Sequence, residues 1–394
     1  MDINLFGPEV QADPAAAFAA IRAEGPVVWN DPLGMWMACW HAPTMEALRD
    51  SARFSSKANR DIGRVAEAFV IDSMSGADPP DHTRLRGPVR RAFTMRAVAK
   101  LEERVIELVD ELLEPLERGQ EFDVLRGLAE PLPGAVISAM MGVPGSDREM
   151  FTGWADDLVS GNSLLATPEL AERAVAAGQA LRNYFAAMID DRRKSPADDL
   201  VSRLIEANSG GELNESELLS SCVLLLFGGL ETTMNLIGNS LLALFDDPEQ
   251  RKRLVSDPAL MPTTVEEMLR FVGPAQGILR AVVEDTELAG QKLAANDRVI
   301  MMIGCANRDE RAFHAPDRLD IGRDPNPHLA FAFGVHFCLG AAVARLEMRH
   351  ALAGVLRRAP EYRVTTAEPR LRGGFFVRGL DELSIIADLE DSHG

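Results

Sequence analysis

Apolar and polar positions alternate along this chain with a mostly helical period. Residues 97–116, 169–193, 215–246 and 263–271 repeat apolar side chains at three- and four-residue intervals, which lays one apolar stripe along a helix. Short strand-like runs stand at 26–29, 35–38, 279–283, 298–303 and 375–386, grouped towards the ends of the chain. This pattern predicts a mainly α architecture, a large helical body with small β-sheets at its side. The polar stretches 195–199 and 208–212 are loop-sized, and no internal repeat or low-complexity tract divides the sequence. One domain over residues 1–394 is expected.

The longest unbroken apolar run, residues 222–230, is nine residues long, about half of what a bilayer-spanning helix needs, so no membrane association is expected. The opening residues, Met1-Asp2-Ile3-Asn4-Leu5-Phe6, carry neither a basic stretch nor an apolar core of a secretory signal, and a cytoplasmic location is expected. Composition agrees: 394 residues, 46% apolar, with a formal charge of −19, describe a soluble acidic globular chain. That charge repels phosphate polyanions and argues against nucleic-acid binding. The four cysteines, Cys39, Cys222, Cys305 and Cys338, lie more than thirty residues apart, which gives no zinc pattern and no dense disulfide framework.

The strongest local signal is Phe331-Ala332-Phe333-Gly334-Val335-His336-Phe337-Cys338-Leu339-Gly340, followed at once by a helical pattern. A cysteine at the end of a glycine-containing loop and just before a helix has its sulfur among backbone N–H groups and near the helix dipole, which favours thiolate, the form that binds iron. Gly334 and Gly340 let backbone approach a flat cofactor, and Phe331 packs against the loop. The alternative is a buried structural cysteine. Against it, a chance match to Phe-x-x-Gly-x-x-x-Cys-x-Gly in this length is on the order of one in a thousand.

Two more stations stand out. Gly228-Gly229-Leu230-Glu231-Thr232-Thr233 lies mid-way along the 215–246 pattern, where adjacent glycines cost roughly 1 kcal/mol each relative to alanine. It reads either as two helices joined by a Gly-Gly turn or as one long helix locally widened over a cofactor, with an acid beside an alcohol suited to proton delivery. Glu267 and Arg270 are three apart on one helix face, which out of context describes an ordinary solvated salt bridge.

The cysteine loop resembles the haem-binding loop of the cytochrome P-450 superfamily. The likeness continues, in the family's order, over residues 78–383: Asp78-Pro79-Pro80-Asp81-His82-Thr83-Arg84-Leu85-Arg86 resembles the entry to its C helix, Glu267-Met268-Leu269-Arg270 its Glu-x-x-Arg helix, and Asn307-Arg308-Asp309 with Pro316-Asp317-Arg318 the approach to its meander. Ala332 stands where the bacterial loop usually has glycine, and Gly228 where the central helix usually has alanine.

The resemblance implies the cytochrome P-450 fold, a triangular helical prism with a long central helix over haem b, and a monooxygenase that inserts one atom of O2 into a hydrophobic organic substrate by hydroxylation or epoxidation. It implies Cys338 as the thiolate ligand of iron, Thr232 hydrogen-bonded to the reacting oxygen and Glu231 in the proton relay, a pair that argues against a peroxide-dependent member. Around the haem it implies Gly228, Phe331, Gly334 and Gly340, with His82, Arg86, Arg280 and His336 as cations for the two propionates. Glu267, Arg270 and Arg318 would form a buried scaffold network. Leu226, Gly229, Ile278, Phe376 and Val377 would line the substrate pocket, within the wider stretches 59–74, 158–170, 226–229, 275–279 and 375–377.

No Gly-x-Gly-x-x-Gly fingerprint in a strand-to-helix setting follows the cysteine loop, so electrons are expected from a separate ferredoxin or flavodoxin, with NAD(P)H acting indirectly through a reductase. Residues 82–100 carry Arg84, Arg86, Arg90, Arg91, Arg96 and Lys100 and no acid, a +6 island in an acidic chain. With Arg345 and Arg349 it reads either as a solvated helix face or as a dock for an acidic donor, centred on Arg90 and Arg91. A monomer is expected. The alternative in another class is a haem-thiolate protein that senses, isomerises, couples substrates oxidatively or reduces nitric oxide.

Overall fold

In the computed structural model, which describes residues 1–7, 10, 14–61, 72–161, 167–367, 371–372 and 376–387, the pattern at 215–246 forms one unbroken helix, Glu215–Asp246. Its start is fixed by a capping box: the Asn214 side chain accepts from the Glu217 N–H, and the Glu217 carboxylate accepts from the Asn214 N–H. No turn forms at Gly228-Gly229, because tertiary burial of the flanking apolar residues outweighs the local propensity cost. An 18-residue window of this helix has a mean hydropathy of 1.4, and 61% of that window is buried inside the protein. The apolar surface is therefore spent on the core rather than on a bilayer.

Helices Pro131–Met141, Pro168–Lys194, Met261–Val272 and Ala341–Arg358 pack around it and supply the main hydrophobic core. The expected helix at 97–116 is instead two, Met95–Ala99 and Glu102–Leu112. Thr94 caps the first, and the Leu101 N–H turns back to the Val98 carbonyl at 2.9 Å, so the chain changes direction between them.

Five short strands form the larger sheet in the order Val27–Asn30, Met35–Ala38, Arg298–Met301, Ile278–Val282, Phe54–Ser55. Only the second and third pair in parallel, with Trp36 opposite Val299. The run expected at 298–303 stops at Met301, and Ile303–Ala306 coils into a helical turn that begins with the Ala306 N–H bonded to the Met302 carbonyl. A second sheet joins Glu121–Asp123, Ser384–Ala387 and Tyr362–Val364. Of the run expected at 375–386, Gly379–Leu380 and Ser384–Ala387 are strands, while Phe375 lies outside the described residues.

Candidate active site

The Phe331–Gly340 loop folds back on itself through one bond, the Cys338 N–H donating to the Phe331 carbonyl at 2.9 Å. Cys338 then opens into a cavity of about 380 Å³, whose opposite wall is the small-residue stretch Gly228, Gly229, Thr232 and Thr233 of the central helix. Burial raises the Cys338 thiol above its ordinary value, against the N–H groups of Gly340 and Ala341 and the guanidinium groups of Arg86 and Arg345. The N–H groups at the loop's end thus act towards thiolate, as the sequence argument expects, and coordination to a metal would complete the deprotonation.

A Cβ placed on Gly228 or Gly229 meets nothing within 4 Å, so the wall is open at both. The Thr232 hydroxyl donates to the Gly228 carbonyl at 3.1 Å, one turn back along the helix. Glu231 is half-buried and is not on the cavity wall. The wall does include a carboxyl that sequence reasoning passed over, Glu347, which belongs to helix Ala341–Arg358.

The two glycines of the loop have different causes. Gly340 lines the cavity near the sulfur. Gly334 does not line it: its φ is +73°, and a Cβ there would stand 2.9 Å from the Leu48 carbonyl oxygen, so it is required by the approach of helix His41–Arg49 rather than of a cofactor. Ala332 also has a positive φ, 58°, a strained position for a residue with a Cβ.

At one edge of the loop four expected cations gather. The His82 and His336 ring centroids are 4.2 Å apart. His336 Nε2 bonds the Ser56 hydroxyl at 2.9 Å, whereas neither ring nitrogen of His82, itself 2% exposed, has a hydrogen-bond partner. Arg86 donates to the Phe337 carbonyl at 2.5 Å and buried Arg280 to the Leu279 carbonyl at 2.9 Å; among the described residues neither forms an ion pair. Burial, then Arg86, lowers His82 to about 4, and burial, then Arg280, lowers His336 to about 3. The histidines are thus neutral here, and only the arginines bring charge. Half-buried Arg86 and buried Arg280, neither in an ion pair among the described residues, beside the orphaned ring nitrogens of His82 fit a guest that carries carboxylates; Asp78, close enough to act on His82 and Arg280, is already bonded to the Ser55 hydroxyl and the Ser56 N–H.

Next to the loop, Glu267 and Arg270 are wholly buried and paired through two bonds of 2.8 Å. Arg270 also donates to the carbonyls of Asn307, Pro316 and Arg318. The third charged member is Arg323, whose Nε lies 3.1 Å from Glu267, and not Arg318. The reason is the chain path: the meander turns the Arg318 carbonyl inward and leaves its side chain exposed, and Arg323 returns to the carboxylate. Asn326 adds a further bond to Glu267 at 3.0 Å.

Of the expected pocket residues, Gly229 and Ile278 line the cavity. Leu226 does not; it is fully buried in the main core, and its neighbours Leu224 and Leu225 reach the wall instead. Phe376 and Val377 are also absent from the wall: Phe376 packs edge-on to Phe6 with centroids 6.4 Å apart, and Val377 bridges Ala275. Residues 62–71, 162–166 and Phe375, within the other expected lining stretches, lie outside the described residues. A larger cleft of about 890 Å³ with a mixed lining, between the end of the central helix and the meander, holds neither Cys338 nor Thr232, so the smaller apolar cavity is the one with chemistry.

The cationic island is mostly neutralised. Arg84 pairs with Glu217, Arg91 with Glu212, Lys100 with Asp198 and Arg349 with Glu102. Arg345 grips Glu266 at 2.6 and 2.8 Å while stacking over Phe331, and burial, which would raise the Glu266 carboxyl, is overcome by Arg345 and His328 so that it falls to about 2. Arg90 and Arg96 are exposed without an ion pair among the described residues.

Comparison with known proteins agrees with this geometry. The sequence model of the Cytochrome P450 family matches residues 25–368. The chain is 38% identical to nocardicin C N-oxygenase of Nocardia uniformis subsp. tsuyamanensis, over 96% of this chain and 97% of that protein. It is 36% identical to vitamin D(3) 25-hydroxylase of Pseudonocardia autotrophica, over 97% and 96% of the two chains. The solved structure of cytochrome P450 CYP109Q5 from Chondromyces apiculatus superposes with a TM-score of 0.90 at 35% identity, covering 98% of each chain. A thiol loop facing the small-residue stretch of a long helix, an imidazole with orphaned nitrogens at the loop's edge and a match along most of the chain lead to one assignment: this chain belongs to the cytochrome P450 family of haem-thiolate monooxygenases.

Proposed function

We propose that the chain, as one domain over residues 1–394, hydroxylates or epoxidises a hydrophobic, mid-sized organic substrate, a terpenoid, steroid, fatty acid, aromatic or polyketide, in the cytoplasm. The observation that carries this reading is the single apolar cavity shared by Cys338 and the Gly228–Thr233 stretch. Haem iron held by a thiolate supplies the electron and O2 chemistry. Cys338 is its ligand, held by the Phe331 carbonyl and the following helix start. Arg86, Arg280, His82 and His336 would hold the haem propionates, whose negative charge would draw both imidazoles up.

Gly228 and Gly229 leave the wall open on the side of the cavity, and the Thr232 hydroxyl, which donates to the Gly228 carbonyl, would be the chain's own proton donor there. Glu231, one residue earlier, exchanges protons with the outside of the helix. Leu224, Leu225, Gly229 and Ile278 give the substrate an apolar contact surface. The electron donor is an acidic ferredoxin or a flavodoxin, reduced in turn by an NAD(P)H-dependent reductase. It is steered by Arg90 and Arg96, the island's cations that carry no ion pair among the described residues.

The test is the optical spectrum of the reduced, CO-bound protein. A thiolate-specific red shift, lost in Cys338→Ala, is expected; its absence from well-folded protein overturns the reading. Screening compounds for a change in iron spin state then identifies the substrate class.

A further inference from the structure

Glu266 and Glu267 are neighbours on helix Met261–Val272, yet they serve different parts of the molecule. Glu267 heads the network that reaches the meander, whereas Glu266 turns to the cysteine loop. There its one carboxylate accepts from two side chains that pack on the same aromatic ring. Arg345 donates to it through Nε at 2.6 Å and Nη2 at 2.8 Å, and the guanidinium carbon lies 4.6 Å from the centroid of the Phe331 ring. His328 bonds the carboxylate through Nε2 at 3.1 Å, with its ring centroid 6.0 Å from that of Phe331. His328 Nδ1 accepts from the Ala330 N–H at 3.2 Å, which assigns the tautomer whose Nε2–H donates to Glu266. Phe331 is therefore held by two groups that depend on one acid, and its carbonyl in turn accepts from the Cys338 N–H.

Arg345 bears on the sulfur as well. Burial raises the Cys338 thiol, and the Arg345 charge is one of the influences that oppose it. The Arg345 side chain is 36% exposed and that of Glu266 31%, so an ungripped guanidinium at this place is free to swing into water. Fixing a long side chain costs rotamer freedom, and the two-pronged bond to a carboxylate supplies the geometry that holds it.

We propose that Glu266 is a positioning residue for the cysteine loop: it holds the Arg345 guanidinium over Phe331 and near Cys338, and thereby favours one-electron reduction of the haem site. The proposal rests on the reading of Cys338 as the thiolate ligand of haem iron. One electron enters on reduction, no bond of the chain forms or breaks, and the site gains one negative charge, which a cation fixed nearby stabilises. Glu266 is itself an anion, so by charge alone it would oppose reduction. Positioning and charge thus predict opposite signs for the loss of this carboxylate.

The experiment titrates haem-loaded protein with dithionite through small redox mediators, so that docking of a protein donor plays no part. Wild type, Glu266→Gln, Arg345→Gln and the double variant are compared. Arg345→Gln should lower the equilibrium constant for reduction about threefold to tenfold, tenfold being 59 mV for one electron. Glu266→Gln should lower it by a similar factor, because Arg345 is no longer held, and the double variant should add nothing further. Glu266→Asp, which keeps the charge on a shorter side chain, should recover part of the loss. A raised equilibrium constant in Glu266→Gln overturns the proposal, as does an unchanged one in either single variant. If Glu266→Gln does not load haem, Arg345→Lys carries the same test, since it keeps the charge without the fork: a value near that of Arg345→Gln supports positioning, and a wild-type value overturns it. A merely structural role would speed haem loss or lower the denaturation midpoint and leave the potential in place. The CO-bound spectrum separates the two levels: a missing red shift in wild type fails the parent reading, whereas a normal red shift with unmoved potentials fails Glu266 alone.

Discussion

Two clusters of buried charged side chains lie close to the cysteine loop, and they are finished to different degrees. Around Glu267 every charged group has a partner: two guanidinium groups, the Asp320 N–H and the Asn326 amide N–H converge on one carboxylate, and Arg270 directs its remaining donors to backbone carbonyls. Around His82 the reverse holds, with two unsatisfied ring nitrogens and two arginines whose bonds go to backbone carbonyls. Desolvated charge is tolerated when its partner is part of the chain, and an unfinished cluster is tolerated when the partner arrives later. The first cluster is complete within the chain, and the second is the one we propose as the receptor for the cofactor's carboxylates.

The largest expected effect breaks the finished cluster. Glu267→Ala strands Arg270 and Arg323 in the interior and should cost roughly 3–5 kcal/mol of stability, read as a lower denaturation midpoint with or without haem. A variant as stable as wild type would show that the cluster is not self-contained. Arg280→Ala works the other way. Removing one buried, unpaired cation should leave apoprotein stability unchanged or improved while haem is lost some ten- to a hundredfold faster, since a charge-assisted bond contributes about 1.5–3 kcal/mol. Haem transfer to an acceptor globin measures that rate, and equal rates would remove Arg280 from the receptor.

The same contrast has a pH signature. An unfolded imidazole binds its proton near 6.5, whereas His82 in the fold binds near 4, so between those values the unfolded chain holds more protons and stability rises with pH. Acidifying apoprotein from pH 6.5 towards 4 should therefore destabilise it, with a slope from this group below about 1.4 kcal/mol per pH unit, and His82→Gln should flatten that slope. Haem should flatten it too, because the propionates raise the folded-state value. Denaturant midpoints across that pH range, with and without cofactor, test the point.

How far the sequence could be read follows the same division. The central helix, the sheet strand at 35–38 and the cysteine loop were legible because each carries a local pattern: apolar residues at three- and four-residue spacing, a short apolar run or a fixed spacing of aromatic, glycine and cysteine. Arg323 was not, since nothing local distinguishes it from Arg318; only the path of the meander decides which guanidinium reaches Glu267. Glu347 left a faint signal, an acid between Leu346 and Met348 on the buried face of its helix, but burial depends on what packs there. The charge island misled for a related reason. The acids that neutralise Arg84, Arg91 and Lys100 come from residues 198–217, remote in sequence and adjacent in space.

The smallest expected effect concerns the loop that joins the two clusters. Ala332 holds φ at 58°, where a Cβ crowds the following carbonyl at a cost of about 1–2 kcal/mol. Glycine there removes the clash, but it also frees the unfolded chain, which takes back roughly 0.4–1 kcal/mol. Ala332→Gly should thus stabilise the protein by no more than about 1.6 kcal/mol, seen as a small rise in the denaturation midpoint. Gly334→Ala, in the same loop, should act oppositely and more strongly, because its positive φ is joined by a backbone oxygen 2.9 Å from the added carbon. The pair separates strain that the loop merely tolerates from a close approach that it requires. If Ala332→Gly destabilises, the alanine methyl, packed in the smaller core with Phe333, holds the loop in place, and the strain at that position is offset by packing.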